Sequence, residues 1–300
     1  HLRQTGQTGD PSGPLSGTMV LVPKDVSELI ALFDLQTTGE NRFRGPHPDT
    51  LLQRLFGGQV LGQTLVAAAR TVAPDRLVHS LNAYFLRPGA IDRPLDFEVE
   101  VARDGNTFSN RRVVTRQGDK VIFQMTASFQ QPEDGLSHSA APPADVAVPE
   151  SCPSLHEVLE RRFGASVRLV SEWDALDVRL AARPDLVEGG GNMKAWVRTR
   201  EPMPDDPLLH AAVLAYLSDI TLLSVSTVPH AVEFLSPSMQ AASIDHAMWF
   251  HRPVRVDEWL LYDMTSPSAS HARGFAMGRL FQDGLAVASC AQEGLIRVLS

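Results

Sequence analysis

The 300-residue sequence predicts an α+β fold made of two similar units, each with one long helix followed by about four antiparallel strands. The same order of elements recurs in both halves, and YFLRP at 84–88 aligns without a gap with WFHRP at 249–253. A Pro-rich segment separates the halves. The strand-like runs alternate in hydrophobicity and end at Gly and Asp turns, which is typical of hairpins rather than βαβ crossovers.

A change in composition predicts where the fold begins. Residues 1–18 (HLRQTGQTGDPSGPLSGT) lack apolar periodicity and the apolar run of a secretory signal. We therefore expect a disordered leader or an expression remnant, with Met19 as the natural start. Asp25 and Glu28 have the spacing of a capping box, which predicts a short helix over 26–33.

The N-terminal unit, 19–130, continues with a helix-like stretch over 51–72. Strand-like segments follow this stretch: HSLNAYFLRPG, DFEVEVARDG, FSNRRVVTRQG and VIFQMTASFQQ. Gly57 and Gly58 lie inside the helical pattern, where each glycine costs about 1 kcal/mol relative to alanine. Two interpretations stay open for this pair: a backbone amide exposed to a ligand carbonyl or phosphate, or tight packing of the helix against the sheet.

The segment 131–155 is predicted to be a linker to the C-terminal unit, 156–300. Its prolines exclude helix interiors and central strands; they are Pro132, Pro142, Pro143, Pro149 and Pro153. A strand is expected over 193–200, after a Gly-rich turn at 188–192 that lacks the GxGxxG spacing of a dinucleotide site. A long helix over 205–228, with Asp205 or Asp206 as its cap and Pro207 at its first position, precedes four more strand-like segments.

Asp219 interrupts the apolar face of this second helix. At 3.6 residues per turn it lies among Ala215, Tyr216 and Leu222. A carboxylate in apolar surroundings must find hydrogen bonds or take up a proton, so its presence there indicates a function. The alternative is a carboxylate that caps a kink or pairs with an arginine. The matching residue of the first helix, Gln63, is uncharged, which favours a duplicated site that kept its chemistry in the second unit.

Two further polar residues occur in strand-like segments with apolar neighbours. Ser243 opens the segment SIDHAMWFHRP, and Gln292 lies within the last segment, LAVASCAQEGLIRV. Taken alone, a serine at a strand start is typical of a turn, and a glutamine within a strand is typical of its solvent-facing side.

The composition excludes several classes of protein. The 27 Lys and Arg against 35 Asp and Glu give a net charge of -8, the wrong sign for a general nucleic-acid or anionic-membrane binder. Cys152 and Cys290 form neither a disulfide framework nor a zinc motif, so we expect a reducing, cytoplasmic location. The most apolar stretch, 211–223, is interrupted by Ser218 and Asp219, so no membrane span is predicted.

Six motifs in order carry a resemblance to a known family: FGGQVLGQ, YFLRPG, SDITLL, SIDHAMWFHRP, SASHARG and CAQEG. From about residue 23 to 297 the sequence resembles acyl-CoA thioesterase II, a double-hotdog family. The resemblance implies that each unit is a hotdog, a long helix wrapped by an antiparallel sheet, and that the two sheets join within one chain. It also implies a homodimer or homotetramer.

The resemblance further implies hydrolysis of acyl-CoA to a free fatty acid and CoA by a water held between an Asp, a Ser or Thr, and a Gln. Motif matching assigns these roles to Asp219, Ser243 and Gln292. Bacterial relatives commonly have Thr in place of Ser243, which keeps the hydroxyl role. Further substrate contacts are expected from Gly57, Gly58 and Gln63, and CoA phosphate contacts from Arg87, Arg111, Arg112 or Arg252. Neither a cofactor nor a metal site is predicted.

Other chemistries find less support in the sequence. The GxSxG motif of a serine hydrolase is missing. His246 and His251 are five positions apart on a predicted strand, and this odd spacing places them on opposite faces and prevents shared metal ligation. Asp245 and His246 leave open a hotdog-fold enoyl-CoA hydratase, and the fold alone leaves open a non-catalytic acyl-CoA-binding module.

Overall fold

The computed structural model describes residues 20–21, 23–50, 52–163, 173–181, 185–187, 190–230, 232–234 and 236–299. The predicted leader, 1–18, and part of the Gly-rich turn at 188–192 lie outside these residues. The N-terminal unit contains β1 (Val20–Leu21), α1 (Val26–Ala31), β2 (Gln36–Gly39), β3 (Arg42–Gly45), β4 (Pro48–Asp49), α2 (Gly57–Ala69), β5 (Leu77–Phe85), β6 (Leu95–Asp104), β7 (Phe108–Gln117) and β8 (Lys120–Gln130).

The rest of the chain repeats the pattern of one long helix and a run of strands. Its elements are α3 (Leu155–Phe163), β9 (Leu176–Leu180), β10 (Asp185–Val187), β11 (Gly190–Thr199), α4 (Pro207–Ser218), β12 (Met239–Ser243), β13 (Asp245–Phe250), β14 (Leu260–Ser270), β15 (Arg273–Gln282) and β16 (Leu285–Val298). The predicted capping box is present at α1, where Asp25 accepts from Glu28 N and Glu28 accepts from Lys24 N. The sequence analysis did not anticipate α3 or the short strands β1–β4, β9, β10 and β12.

One antiparallel sheet joins the two units. Fourteen strands belong to it within the described residues. Twelve follow one path, β10-β11-β14-β15-β16-β13 continuing into β5-β8-β7-β6-β3-β2, while β9 pairs with β11 and β12 pairs with β16 beside this path. The units meet where β13 pairs with β5, with Ala247 opposite Asn82 and Met248 opposite Leu81. The aligned YFLRP and WFHRP motifs begin at the ends of these two strands, so the two units are joined through corresponding strands of the repeat.

The helices α2 and α4 pack against each other on one side of this sheet. Glycines allow a close approach: a Cβ at Gly58 would lie 2.3 Å from the Tyr216 carbonyl oxygen, and one at Gly62 would lie 2.9 Å from that of Ala212. Residues of both units form one continuous hydrophobic cluster. The fold is therefore the α+β double hotdog that the sequence predicted, with both long helices enclosed.

Both long helices are shorter than predicted. Helix α2 begins at Gly57 rather than near residue 51, because Phe56 has extended backbone angles (φ -65°, ψ 130°) and Leu55 N is bonded to Gly89 O. Gly57 and Gly58 are therefore in its first turn, not its interior. Helix α4 ends at Ser218, so the predicted continuous helix over 205–228 is wrong. Asp219 is its C-cap, and a turn then leads into a 3-10 helix over Leu223–His230.

The apolar segment around α4 differs from the expectation in a second respect. By length and hydropathy alone, Pro207–His230 is long and apolar enough to cross a membrane, with a mean hydropathy of 1.7 over its best window. Of that window, 72% is buried inside the fold, as in a core helix. Packing against α2 and the sheet therefore accounts for its apolar character.

Residues 131–148 of the predicted linker have no regular secondary structure. They run along the outer side of the C-terminal strands, where Trp196 Nε1 donates to Ala147 O (2.8 Å) and Val146 packs beside Leu261 and Phe281. The linker thus covers part of the sheet surface.

Candidate active site

Three separate elements of the C-terminal unit place Asp219, Ser243 and Gln292 next to one another. Asp219 follows the last residue of α4, Ser243 is the last residue of β12, and Gln292 lies within β16. Ser243 thus ends a strand instead of opening one, because Ile244 belongs to no strand and separates β12 from β13. Strand β12 pairs with β16, with Ser243 opposite Gly294, and this pairing brings the hydroxyl beside the amide.

The side chains form a closed triangle of hydrogen bonds. Gln292 Nε2 donates to Asp219 Oδ1 (2.6 Å) and to Ser243 Oγ (3.0 Å). Ser243 Oγ donates to Asp219 Oδ1 (3.2 Å). The amide orientation of Gln292 follows from these contacts, and its Oε1 is buried without a hydrogen-bond partner. Gln292 is fully buried, in contrast to a solvent-facing strand position, whereas Ser243 is half-buried and forms the accessible corner.

The N-terminal unit contributes the start of α2 to the same place. The backbone of Gly58 hydrogen-bonds to the Asp219 carboxylate. A Cβ at Gly57 would lie 2.5 Å from Asp219 Oδ2, so only glycine fits against the carboxylate there. The N-cap, Phe56, offers no side-chain hydrogen bond, so the first N–H groups of α2 and the positive end of its dipole face the acid.

Burial and hydrogen bonds act in opposite directions on Asp219. The side chain is only 4% exposed, and desolvation raises its pKa from 3.8 to about 6. Hydrogen bonds from Gln292, Ser243 and Gly58 and the charge of Arg54 oppose this rise. A carboxylate with a pKa near 6 is ionised at neutral pH and is a much better proton acceptor than an ordinary aspartate.

His246 is a second ionisable group close to Asp219. It is fully buried in β13, with Nδ1 3.9 Å from Asp219 Oδ1 and Nε2 3.0 Å from Ser218 Oγ. Desolvation lowers the pKa of His246 to about 4, so the imidazole is neutral at physiological pH.

A buried tyrosine and cysteine support the end of α4 without offering a nucleophile. Tyr262 donates its hydroxyl to the Ser218 carbonyl oxygen (2.8 Å) and lies 3.1 Å from Cys290 Sγ. Burial raises the pKa of Cys290 to about 12 and that of Tyr262 well above its usual value of 10. Both groups therefore stay protonated at neutral pH.

The other predicted contacts lie in different surroundings. Gln63 is buried, and its Nε2 donates to the backbone carbonyls of Leu32 (2.7 Å) and Pro46 (3.0 Å), which corrects the expectation of an amide open to substrate. Arg87 donates to Val121 O, and Arg252 donates to Ala286 O and His138 O.

Two of the predicted phosphate contacts have acidic partners. Arg111 is 1% exposed and pairs with Asp104 (2.9 Å), so it is enclosed in the N-terminal unit and unavailable to a phosphate. Arg112 lies 3.5 Å from Glu100. Sequence reasoning did not select Arg54, whose guanidinium donates to Ala241 O and whose charge acts on Asp219. Its position three residues before Gly57 is the clue that could have identified it.

Metal ligation has no support in the described part of the chain, where no group of three or more His, Cys, Asp or Glu could hold an ion. His246 is buried on β13, whereas His251 lies one residue beyond the end of that strand and is exposed.

Comparison with known proteins gives matches over both units. A family model for acyl-CoA thioesterases matches residues 169–295, and one for the acyl-CoA thioesterase N-terminal domain matches residues 46–130. Human acyl-coenzyme A thioesterase 8 is 36% identical over an alignment of 312 positions, which covers 98% of this chain and 93% of that protein. Acyl-CoA thioesterase 2 of Haemophilus influenzae is 35% identical over 280 residues, covering 91% of this chain and 98% of that protein.

Solved structures show the same relationship. An acyl-CoA thioesterase II from Mycobacterium marinum superimposes with a TM-score of 0.77 and 42% sequence identity, covering 91% of this chain and 98% of that one. A hotdog-fold protein from Alicyclobacillus acidocaldarius, at 22% identity and a TM-score of 0.71, shares the fold. With matched models over both units and relatives of more than 30% identity along nearly the whole chain, this protein belongs to the acyl-CoA thioesterase family of thioester hydrolases.

Proposed function

We propose that the protein hydrolyses acyl-CoA thioesters to a free fatty acid and CoA, with Asp219 as the general base. The observation that carries this proposal is the triangle of Asp219, Ser243 and Gln292, closed by contacts of 2.6 to 3.2 Å. The names of the similar proteins support acyl-CoA as the substrate class, and the geometry of the triangle supports Asp219 as the general base.

Asp219 takes a proton from a bound water while the water oxygen forms a bond to the thioester carbonyl carbon. Ser243 and Gln292 orient the carboxylate, because both side chains contact Asp219 Oδ1 and each other. The same two side chains hold the water beside the carboxylate. The tetrahedral intermediate then expels the CoA thiolate as the C–S bond breaks, and the proton on Asp219 passes to the sulfur. The thioester is an activated acyl group, so no covalent acyl-enzyme is required.

The start of α2 stabilises the negative charge that develops on the carbonyl oxygen. The N–H of Gly57, the first residue of the helix, has no intrahelical acceptor, and Phe56 does not cap it with a side chain. A donor fixed in this way stabilises an oxyanion more strongly than water does. The two units therefore share the reaction, with the base in one and the oxyanion donor in the other.

The first experiment compares Asp219→Asn with the wild-type protein in a thiol-release assay with a medium- or long-chain acyl-CoA. We expect kcat to fall by about 10²–10⁴-fold, because the amide has nearly the same shape but cannot accept the proton. Asp245→Asn is the matched control. Asp245 also lies near the site, and its Oδ1 accepts from Glu293 N (2.7 Å), a contact that asparagine can keep.

Three outcomes would contradict the proposal. They are full activity of Asp219→Asn, unfolding of this variant in circular dichroism, and tight acyl-CoA binding by the wild type without thiol release. Hydration of crotonyl-CoA without thiol release would favour the hydratase alternative. The cytoplasmic location and the homodimer or homotetramer stay predictions, which cell fractionation and light scattering would test.

A further inference from the structure

His246 is a fully buried polar side chain that the mechanism above does not use. It points inward from β13, the strand that joins the two units, and its ring lies between the end of α4 and the Asp219 carboxylate. A buried histidine normally has both ring nitrogens satisfied. Nε2 has a partner, Ser218 Oγ at 3.0 Å, but Nδ1 is buried without one.

The hydrogen bonds of Ser218 indicate which nitrogen carries the proton. Ser218 Oγ donates its single hydrogen to the Ala215 carbonyl oxygen (2.8 Å). Toward the imidazole, the hydroxyl can therefore only accept, so Nε2 is the protonated nitrogen. In a neutral ring Nδ1 then has a free lone pair.

That lone pair faces the acid of the proposed active site. Nδ1 lies 3.9 Å from Asp219 Oδ1. The two hydrogen bonds of a bridging water meet at roughly 105°, which separates the outer atoms by about 4.4 Å, so the gap is about 0.5 Å too short for one. It is about 1 Å too long for a direct bond, which matches an acceptor facing an oxygen that does not yet carry a proton.

We propose that His246 is a positioning residue whose Nδ1 accepts a hydrogen bond from the protonated Asp219 carboxyl, the form that exists after the water has given up its proton. This inference rests on the proposed role of Asp219 as general base. No proton is transferred to the imidazole: the O–H stays on Asp219 until the departing CoA sulfur takes it.

The rest of the triangle can adjust to this change. Gln292 Nε2 also lies within hydrogen-bond distance of Ser243 Oγ, so the amide keeps a partner when Asp219 Oδ1 becomes an O–H. The charged and titratable groups that act on the carboxylate from the packed elements are Arg54 before α2, His246 on β13, Tyr262 on β14 and Cys290 on β16. Of these groups, only His246 offers the Asp219 carboxylate an unprotonated acceptor atom, Nδ1, that has no other partner.

Two substitutions separate the two nitrogens of the ring. His246→Asn places an acceptor oxygen near the position of Nδ1 and loses the contact with Ser218. His246→Gln places an N–H near the position of Nε2 and loses the acceptor that faces Asp219. The carboxyl 13C resonance of Asp219, assigned with Asp219→Asn, gives the pKa of this group directly in each folded variant, and thiol release against pH gives kcat.

We expect His246→Gln to lower the pKa of Asp219 by about one unit and kcat by about tenfold, because the protonated carboxyl loses its acceptor. His246→Asn should restore both toward wild-type values. A rise in the pKa of Asp219 in His246→Gln would overturn the proposal, since it would mean that Nδ1 carries a proton and donates to the carboxylate. An unchanged pKa in both variants would overturn it as well, and would make His246 a core residue only.

The NMR titration needs no turnover, so the two ideas can fail separately. If Asp219→Asn keeps full activity, the proposed base is wrong, whatever the titration shows. If Asp219→Asn is inactive but His246→Gln leaves the pKa of Asp219 and kcat unchanged, the general base stands and the role of His246 is refuted.

Discussion

The Asp219 side chain is held between two opposing effects. Burial favours its neutral form, and donors from Gln292, Ser243 and Gly58 favour its charge. The result is a pKa of about 6, close enough to neutral pH that the group is charged before the reaction and accepts a proton readily during it. A fully solvated aspartate would be too weak a base, and a buried one without donors would already be protonated.

At this scale the sequence predicted the acid itself but not all of its surroundings. A carboxylate among apolar helical residues is costly, and that cost identified Asp219. Ser243 and Gln292 were selected by resemblance, because a lone Ser or Gln in a strand has no such anomaly. His246 stayed hidden because its significance depends on where Nδ1 points, which is set by the packing of β13 against α4.

The paired shifts of Asp219 and His246 lead to a prediction about stability. The pKa of Asp219 is higher in the fold (about 6) than its ordinary 3.8, so this group makes stability fall as pH rises from about 4 to 6. The pKa of His246 is lower in the fold (about 4) than its ordinary 6.5, so this group makes stability rise over nearly the same interval. In the wild type the two contributions largely cancel.

Asp219→Asn removes one side of this balance. We expect its free energy of unfolding to increase from pH 4 to 6.5 by on the order of 2–3 kcal/mol more than that of the wild type, as measured by urea denaturation at each pH. His246→Gln should show the opposite slope. Parallel profiles for all three proteins would mean that neither group is as strongly desolvated as its position indicates.

Among the elements, the first turn of α2 and the last residue of α4 define the site together. The sequence placed helices in both regions, but their ends depend on tertiary contacts that no local pattern contains. Helix α4 ends where the Tyr262 hydroxyl donates a hydrogen bond to the Ser218 carbonyl oxygen. At the same place Ile220 N bonds to the carbonyl of Leu217, three residues earlier. Helix α2 starts late because Leu55 is bonded to Gly89.

The two adjacent glycines of α2 should respond differently to substitution by alanine. At Gly57 the new methyl would meet the Asp219 carboxylate at 2.5 Å, so we expect kcat to fall on the order of 100-fold with little loss of stability. At Gly58 it would meet the backbone oxygen of Tyr216 at 2.3 Å and push the helices apart, so we expect about 1–3 kcal/mol lower stability.

Gly135 is the matched control for this pair, because a Cβ there would have nothing within 4 Å. In thermal denaturation and in the thiol-release assay, Gly135→Ala should have the same stability and the same kcat as the wild type. Equal effects of Gly57→Ala and Gly58→Ala on kcat and on stability would show that the two contacts do not have separate roles.

For the whole molecule, the repeat in the sequence predicted two units of similar design, and comparison of their motifs predicted which strands correspond. The family resemblance implied only that the two sheets join, and the pairing of β5 with β13 was not predicted, since nothing in either strand specifies its partner. The path of the Pro-rich residues 131–148 along the outer side of the C-terminal strands was also out of reach, because it rests on single contacts such as Trp196 with Ala147.

The continuous core that results predicts that both units unfold together. All four tryptophans (Trp173, Trp196, Trp249 and Trp259) are in the C-terminal unit, and Trp173 and Trp249 also contact the N-terminal unit at Phe56 and Ser80. Their fluorescence therefore reports the C-terminal unit and the junction, while far-ultraviolet circular dichroism reports both units. Phe97→Ala, at a 1% exposed core position on β6, should cost about 3–5 kcal/mol. We expect it to lower the denaturation midpoint of the tryptophan signal and of the dichroism signal equally, because the β5–β13 pairing and the α2–α4 contact transmit the loss across the junction. A fluorescence midpoint that stays at its wild-type value while part of the dichroism changes earlier would mean that the units unfold independently.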